Sequence, residues 1–141
     1  MTDTLFNVKD QVVLISGGSR GIGLAIAAGF AQRGAQVVIT GREASTLEQA
    51  VATMAEAPLT PQGVVCDVAQ ADQIQQVVDQ LQQQHGRIDT LINVAGVNRR
   101  KPSLDDTEED YDFIVDINLK GAFLLSQAVG RLQIAQGRGS Q

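Results

Sequence analysis

The chain has 141 residues, 43% of them hydrophobic, and a formal net charge of −5 from 11 basic and 16 acidic side chains. That length suits one domain with one core, and the mixed composition excludes a disordered chain. The acidic balance excludes a general nucleic-acid binder or a protein held on anionic membranes, since both need a basic face.

The opening MTDTLFNVKD has neither the basic start nor the apolar run of a leader. No apolar stretch approaches the roughly 18–20 residues that cross a bilayer, so a cytoplasmic protein with no membrane partner is expected. QVVLIS (11–16) reads as a buried strand, followed by a helix from Arg20 to about Arg33 that Gly34 ends in a left-handed conformation. AQVVIT (35–40) is a second strand. Residues from about Glu43 to Ala57 have helical composition, stopped by the two prolines of APLTP. GVVCDV (63–68) is the third strand; its lone Cys66 can form no disulfide within the chain and, as a packed thiol, is assigned no chemistry.

From Asp72 to His85, the residues Ile74, Val77, Val78 and Leu81 share one helical face, the glutamines of QLQQQHG form a solvated one, and Gly86 closes the helix. DTLINV (89–94) is strand four, and AGVNRRKPSLDD is an exposed loop. TEED (107–110) matches a capping box, so a long helix begins at Thr107 and runs to about residue 130. Four β-α units in a row, with strands buried on both faces, predict a three-layer α/β domain around a parallel sheet.

SGGSRGIG (16–23) packs four glycines directly behind the first strand. Such a turn lets the backbone approach a diphosphate closely, while the following helix offers it free N–H groups and partial positive charge. Gly17, Gly21 and Gly23 are spaced G-x-x-x-G-x-G, not G-x-G-x-x-G. The pattern resembles the nucleotide turn of the short-chain dehydrogenase/reductase family, with Ser16 where threonine is more common, and implies that Gly17, Ser19, Arg20, Gly21, Ile22 and Gly23 form a cofactor turn. CDV resembles the family's acidic site, in which Asp67 accepts a bond from the adenine amino group and Val68 lies against the ring; Asp67 also suits a plain strand-end cap. NVAG (93–96) resembles N-N-A-G, with Val94 replacing the second asparagine: Asn93 ties the sheet together, while Ala95 and Gly96 leave room for the cofactor ribose. INLKGAF (117–123) resembles the helix that carries a catalytic asparagine, here Asn118. An asparagine inside a helix is mildly unfavourable and asks for a reason. These four motifs imply a Rossmann-like, doubly wound fold and a hydride-transferring enzyme with a nicotinamide cofactor.

Cofactor choice rests on strand two. An acidic residue about 20 positions past the turn bonds the ribose 2′-hydroxyl of NAD, whereas an arginine suits the 2′-phosphate of NADP. In VVITGRE, Gly41 holds the usual acidic position and Arg42 follows it, with Arg20 on the same side. Two guanidiniums offset the roughly −2 charge of a phosphate, so NADP is preferred, and Glu43 keeps NAD as the alternative.

The resemblance also implies a serine after a fifth strand and a Y-x-x-x-K motif, which orient the substrate oxygen and transfer its proton. Neither is present in these 141 residues: the only tyrosine, Tyr111, has Val115 four positions on, and RLQIAQGRGSQ breaks off where a fifth strand would begin. A single domain over 1–141, truncated after about four β-α units and inactive alone, is therefore expected. Strand four then becomes an unpaired edge in a 3-2-1-4 order, and the last helix leaves Phe113, Ile114 or Leu124 exposed. Full-length relatives are expected to be homo-tetramers. No metal site is assigned.

Arg99, Arg100 and Lys101 form a basic cluster that either is simply solvated or attracts a carboxylate. The loop resembles that of sugar-acid members such as the gluconate 5-dehydrogenases, so a keto-gluconate or polyol acid is the first reading of the small-molecule carbonyl or alcohol substrate. Reduction of 3-oxoacyl groups on an acidic carrier protein is the rival. A noncatalytic nucleotide-binding or interaction module is the reading from another class.

Overall fold

Four parallel strands form one sheet in the order β3-β2-β1-β4: β1 (Val12–Ser16), β2 (Gln36–Gly41), β3 (Gln62–Val65) and β4 (Thr90–Asn93). The computed structural model describes residues 7–141, so residues 1–6 of the opening stretch lie outside the described residues. Alternation along the strands decides the layers. Val13, Ile15, Val37 and Ile39 face α1 (Gly21–Gln32) and α2 (Ala44–Ala52), while Leu14, Val38 and Leu91 face α3 (Ala71–His85) and α5 (Ala122–Gln136). Each face has its own apolar cluster, which gives the expected three-layer parallel α/β fold. β1 is buried at every position, whereas edge strand β3 buries none of its residues fully.

Most boundaries follow the sequence signals. Gly34 and Gly86 take left-handed φ values of +79° and +73° behind α1 and α3, and the α3 face of Ile74, Val77, Val78 and Leu81 is buried as read. Two elements are shorter than expected. α2 ends at Ala52, well before Ala57, where the helical ladder gives way to tight turns with Met54 N bonded to Val51 O (3.0 Å) and Ala57 N to Met54 O (3.0 Å). β3 ends at Val65, before Val68, because Asp67 starts a turn: its Oδ1 accepts from Ala69 N (3.0 Å) and its carbonyl from Gln70 N (2.9 Å).

The last helix is longer than expected and is interrupted. α4 (Glu108–Val115) passes through one π-helical turn, Asp116–Gly121, into α5, which reaches Gln136. Against the expectation that no stretch approaches a bilayer span, Glu108–Gln136 has the length and apolar composition of one. Here Ile117, Leu125, Val129 and Leu132 of this run are buried against the sheet. The expected exposure of Phe113, Ile114 and Leu124 is also corrected. All three are half-buried, Phe113 and Leu124 packing on the α3/α5 core, and the exposed residues are Tyr111, Leu119, Phe123 and Ile134.

Nor is β4 a bare edge. Ser140 forms a parallel bridge to Thr90: Leu91 N donates to Ser140 O and Ser140 N to Asp89 O, both at 2.9 Å. The tail is held from below. Buried Asp89 accepts from Val12 N (2.9 Å) and Arg87 Nε (2.8 Å) and pairs with Arg138 (2.7 Å), while the Gln133 amide donates to the Ser140 carbonyl (3.1 Å).

One carboxylate anchors the loop between β4 and α4. Asp110 and Thr107 form the expected capping box: Thr107 Oγ1 accepts from Asp110 N (3.2 Å), and Asp110 Oδ2 accepts from Thr107 N (3.0 Å) and from its hydroxyl (2.7 Å). Lys101 pairs with the same oxygen and Arg99 with Oδ1 (2.9 Å). Lys101, Thr107 and Arg99 together hold the Asp110 carboxyl far below the usual carboxylate range. A depressed folded pKa stabilises the fold above about pH 4, where the unfolded carboxyl is ionised, and that contribution is lost as pH falls further toward the folded value. Asp110→Asn should therefore lower the thermal midpoint near neutral pH, with the gap from the parent shrinking as pH is lowered below about 4. Melting curves across that range test it, and a gap independent of pH would show that the charge does not hold the loop.

Candidate functional site

The site starts from the end of β1. Buried Ser16 accepts at Oγ from the backbone amides of Val94 (3.2 Å) and Ala95 (3.3 Å), so the turns after β1 and β4 are locked together. Gly17 and Gly18 donate their amides to Thr40 O (3.0 and 3.1 Å), which draws the end of β2 into the same cluster. Nothing larger than glycine fits at the centre. A Cβ on Gly17, whose φ is +71°, would lie 2.7 Å from Ala95 N and Cα, and one on Gly23 would lie 2.1 Å from the Gly17 carbonyl oxygen. α1 then begins at Gly21 behind Arg20, with no side-chain cap and no acidic residue in its first turn. Its leading amides are thus left to an external acceptor, at the positive end of the helix dipole.

Above this turn lies a cleft of about 260 Å³ across the carboxyl ends of the strands. Gly17, Ser19, Arg20 and Ile22 line it from the first turn, Arg42 from β2, Asp67 and Val68 from beyond β3, and Ala95 and Gly96 from beyond β4. Gly21 and Gly23 lie behind that wall as backbone of the helix start. Asn93 is turned away: its Nδ2 donates to Ser126 Oγ (2.9 Å) and its Oδ1 lies 3.5 Å from Ser16 Oγ, which ties β4 to α5 and β1. Asn118 is also outside the lining. Its Oδ1 accepts from Val97 N (2.7 Å) and its Nδ2 donates to Val97 O (2.9 Å), so both ends of the amide hold the loop behind Gly96. That pairing gives the mid-helix asparagine a structural partner.

A second hollow of about 340 Å³ adjoins the cleft, sharing Ser19, Arg20 and Arg42 and adding Glu43 and Thr46. Neither arginine forms an ion pair among the described residues. The two charges therefore face open space where β2 ends. A further hollow of about 580 Å³ between α1 and the β4 edge holds none of the expected residues and is mostly apolar, with Val8, Ile26 and Phe30 in its wall.

Several lining residues escaped the sequence reading: Thr40, Cys66, Val94, Val97 and Ile117. Ile117 opens a quoted motif and Val97 adjoins one, but nothing in their chemistry separates them from core aliphatics. The role of Ser16 was hidden for a different reason, because its partners are about 78 residues away and only the register brings them together. Burial, with a smaller push from Asp67, raises the Cys66 thiol to about 11, which keeps it protonated at neutral pH and fits the packed role. The basic cluster is not free as a whole, since Arg99 and Lys101 turn inward to Asp110. Arg20, Arg42, Asp67 and Cys66 are the ionisable lining of the cleft.

A family profile described as short chain dehydrogenase matches residues 11–140. Gluconate 5-dehydrogenase of Gluconobacter oxydans is 38% identical over 135 residues, covering 96% of this chain and 53% of that protein. A 3-oxoacyl-acyl-carrier-protein reductase of Thermotoga maritima is 37% identical over 133 residues, covering 94% and 54%. The crystal structure of a metagenomic short-chain oxidoreductase in complex with NADP aligns with a TM-score of 0.89 at 33% identity, over 94% of this chain and 61% of that one. The chain spans about half the length of the curated relatives it matches. By its parallel sheet, its glycine turn and this match over nearly all its residues, the chain belongs to the short-chain dehydrogenase family.

Proposed function

We propose that the chain supplies the cofactor-binding portion of an NAD(P)-dependent oxidoreductase that interconverts a carbonyl and an alcohol, with NADP preferred over NAD. The locked glycine turn carries this reading: Gly17 and Gly23 leave no space for a Cβ, and the first amides of α1 stand uncapped beside the cleft. A diphosphate satisfies such amides. The nicotinamide, when bound, supplies the hydride. The chain's own residues bind and orient it: Arg20 and Arg42 take the 2′-phosphate, Asp67 and Val68 the adenine, and Ala95 and Gly96 the ribose. Asn118 contributes by clamping Val97, in the wall of the same cleft.

A sugar acid or polyol is the proposed substrate, supported by the likeness to a gluconate 5-dehydrogenase. Likeness to a 3-oxoacyl carrier-protein reductase at similar identity keeps that substrate as the second reading. A homo-tetramer and residence in the cytoplasm complete the proposal; a single buried cysteine suits a reducing compartment.

Arg42→Ala should weaken NADP binding about tenfold or more, the loss of one charge-assisted phosphate contact, and leave NAD nearly unchanged. Calorimetric titration with both cofactors tests this, and equal losses would refute the preference. Gly23→Val should abolish binding of both cofactors, because its Cβ must displace the Gly17 carbonyl. A folded variant, checked by circular dichroism, that still binds would remove the turn from the site. The 141-residue chain, which has neither the serine nor the Y-x-x-x-K motif, should reduce neither keto-gluconates nor 3-oxoacyl thioesters with NADPH. Robust turnover in a cofactor-oxidation assay would overturn that division of labour.

A further inference from the structure

The cleft wall beyond β3 is a turn whose two residues Asp67 and Val68 are held in different ways. Val68 is buried and rests on the π-helical turn: a Cβ on Gly121 would lie 2.7 Å from the Val68 carbonyl oxygen and 2.9 Å from its Cγ2, so the valine packs on bare backbone. Asp67 is held by a side chain instead. Bonding to β2 stops one residue before it, where Cys66 N donates to Gly41 O (2.9 Å), and the Asp67 amide donates to Gln73 Oε1 in the first turn of α3 (2.8 Å).

The Asp67 carboxylate is divided as well. Oδ1 accepts from Ala69 N (3.0 Å), whereas Oδ2 forms no hydrogen bond or ion pair among the described residues. One oxygen is thus committed to the turn, and the other is available to a ligand in the cleft that Asp67 lines. Where that second oxygen stands depends on the Asp67 backbone, which is fixed by Gln73 on its amide side and by Gln70 N on its carbonyl (2.9 Å). Gln73 acts there purely as an acceptor, a role that a glutamate keeps and a leucine of similar size loses.

We propose that Gln73, which lines neither hollow beside the glycine turn, is a positioning residue for cofactor selection: by holding the Asp67 amide it fixes the free carboxylate oxygen for the donor amino group of an adenine. The inference rests on the cofactor reading above. Hypoxanthine carries a carbonyl oxygen where adenine carries the amino group, and two acceptors that face each other form no bond. NADP, NAD and nicotinamide hypoxanthine dinucleotide phosphate are therefore titrated calorimetrically into the 141-residue parent, Gln73→Leu and Gln73→Glu, with circular dichroism to check the fold.

The parent should bind NADP about tenfold or more tighter than the hypoxanthine analogue, the effect of one charge-assisted hydrogen bond. Gln73→Leu should cut that preference to about threefold or less by weakening NADP and NAD together while sparing the analogue, and Gln73→Glu should restore most of it. A residue that merely supports the fold would weaken all three ligands alike. An undiminished adenine preference in Gln73→Leu, equal losses for all three, or a preference as low in Gln73→Glu as in Gln73→Leu overturns the Gln73 assignment alone. A parent that binds NADP and the analogue equally removes Asp67 from the adenine site and this inference with it, and a parent that binds none of the three removes the cofactor reading itself.

Discussion

One buried hydroxyl joins the two halves of the site. Ser16 ends β1; its Oγ accepts from the amides of Val94 and Ala95 beyond β4, and its carbonyl accepts from Val94 as well (3.1 Å), so the glycine turn moves relative to the Ala95–Gly96 turn only by breaking this lock of three hydrogen bonds. A typical hydrogen bond is worth about 0.5–1.5 kcal/mol net. The absence of side chains at Gly17 and Gly23 is the other half of the same constraint, because the lock closes only if the backbones touch. That contact sets the β1 and β4 turns against each other, and both line the cleft.

Around the cleft and the tail, polar side chains hold backbone as well as one another. Asn118 holds Val97, Ser16 holds Val94 and Ala95, and Gln133 holds the Ser140 carbonyl. Asn93 bridges to the side chains of Ser126 and Ser16. The π-helical turn at Asp116–Gly121 belongs to this scheme, since it interrupts the helix at Asn118, where the asparagine reaches the loop. Such interruptions recur at functional sites because they redirect a side chain without ending the helix.

Charge is sorted between the two ends of the sheet. At the amino ends of the strands, Asp89 gathers Arg87 and Arg138 and so fixes the tail against β4. At the carboxyl ends, Asp110 gathers Arg99 and Lys101, and Arg20, Arg42 and Arg100 form no ion pair among the described residues. A protein with net charge −5 thereby presents unpaired positive charge beside its cleft, an arrangement that favours anionic ligands locally while the molecule as a whole does not.

By itself the sequence determined the alternation of strands and helices, the parallel sheet, the glycine turn and the buried face of α3, because each is written in local periods and turn residues that need no distant partner. The cleft residues Arg20, Arg42, Asp67 and Ala95 were legible for the same reason, each standing at the end of a strand or the start of a helix. Only the tertiary structure decided what happens where local signals meet distant partners. The early end of β3 was decided by a single carboxylate, the pairing of Ser140 with β4 by Gln133 and Asp89, and the pairing of Arg99 and Lys101 by Asp110. Composition and spacing name the donors and acceptors on a chain, but which of them neutralise one another depends on register and packing that only the folded chain supplies.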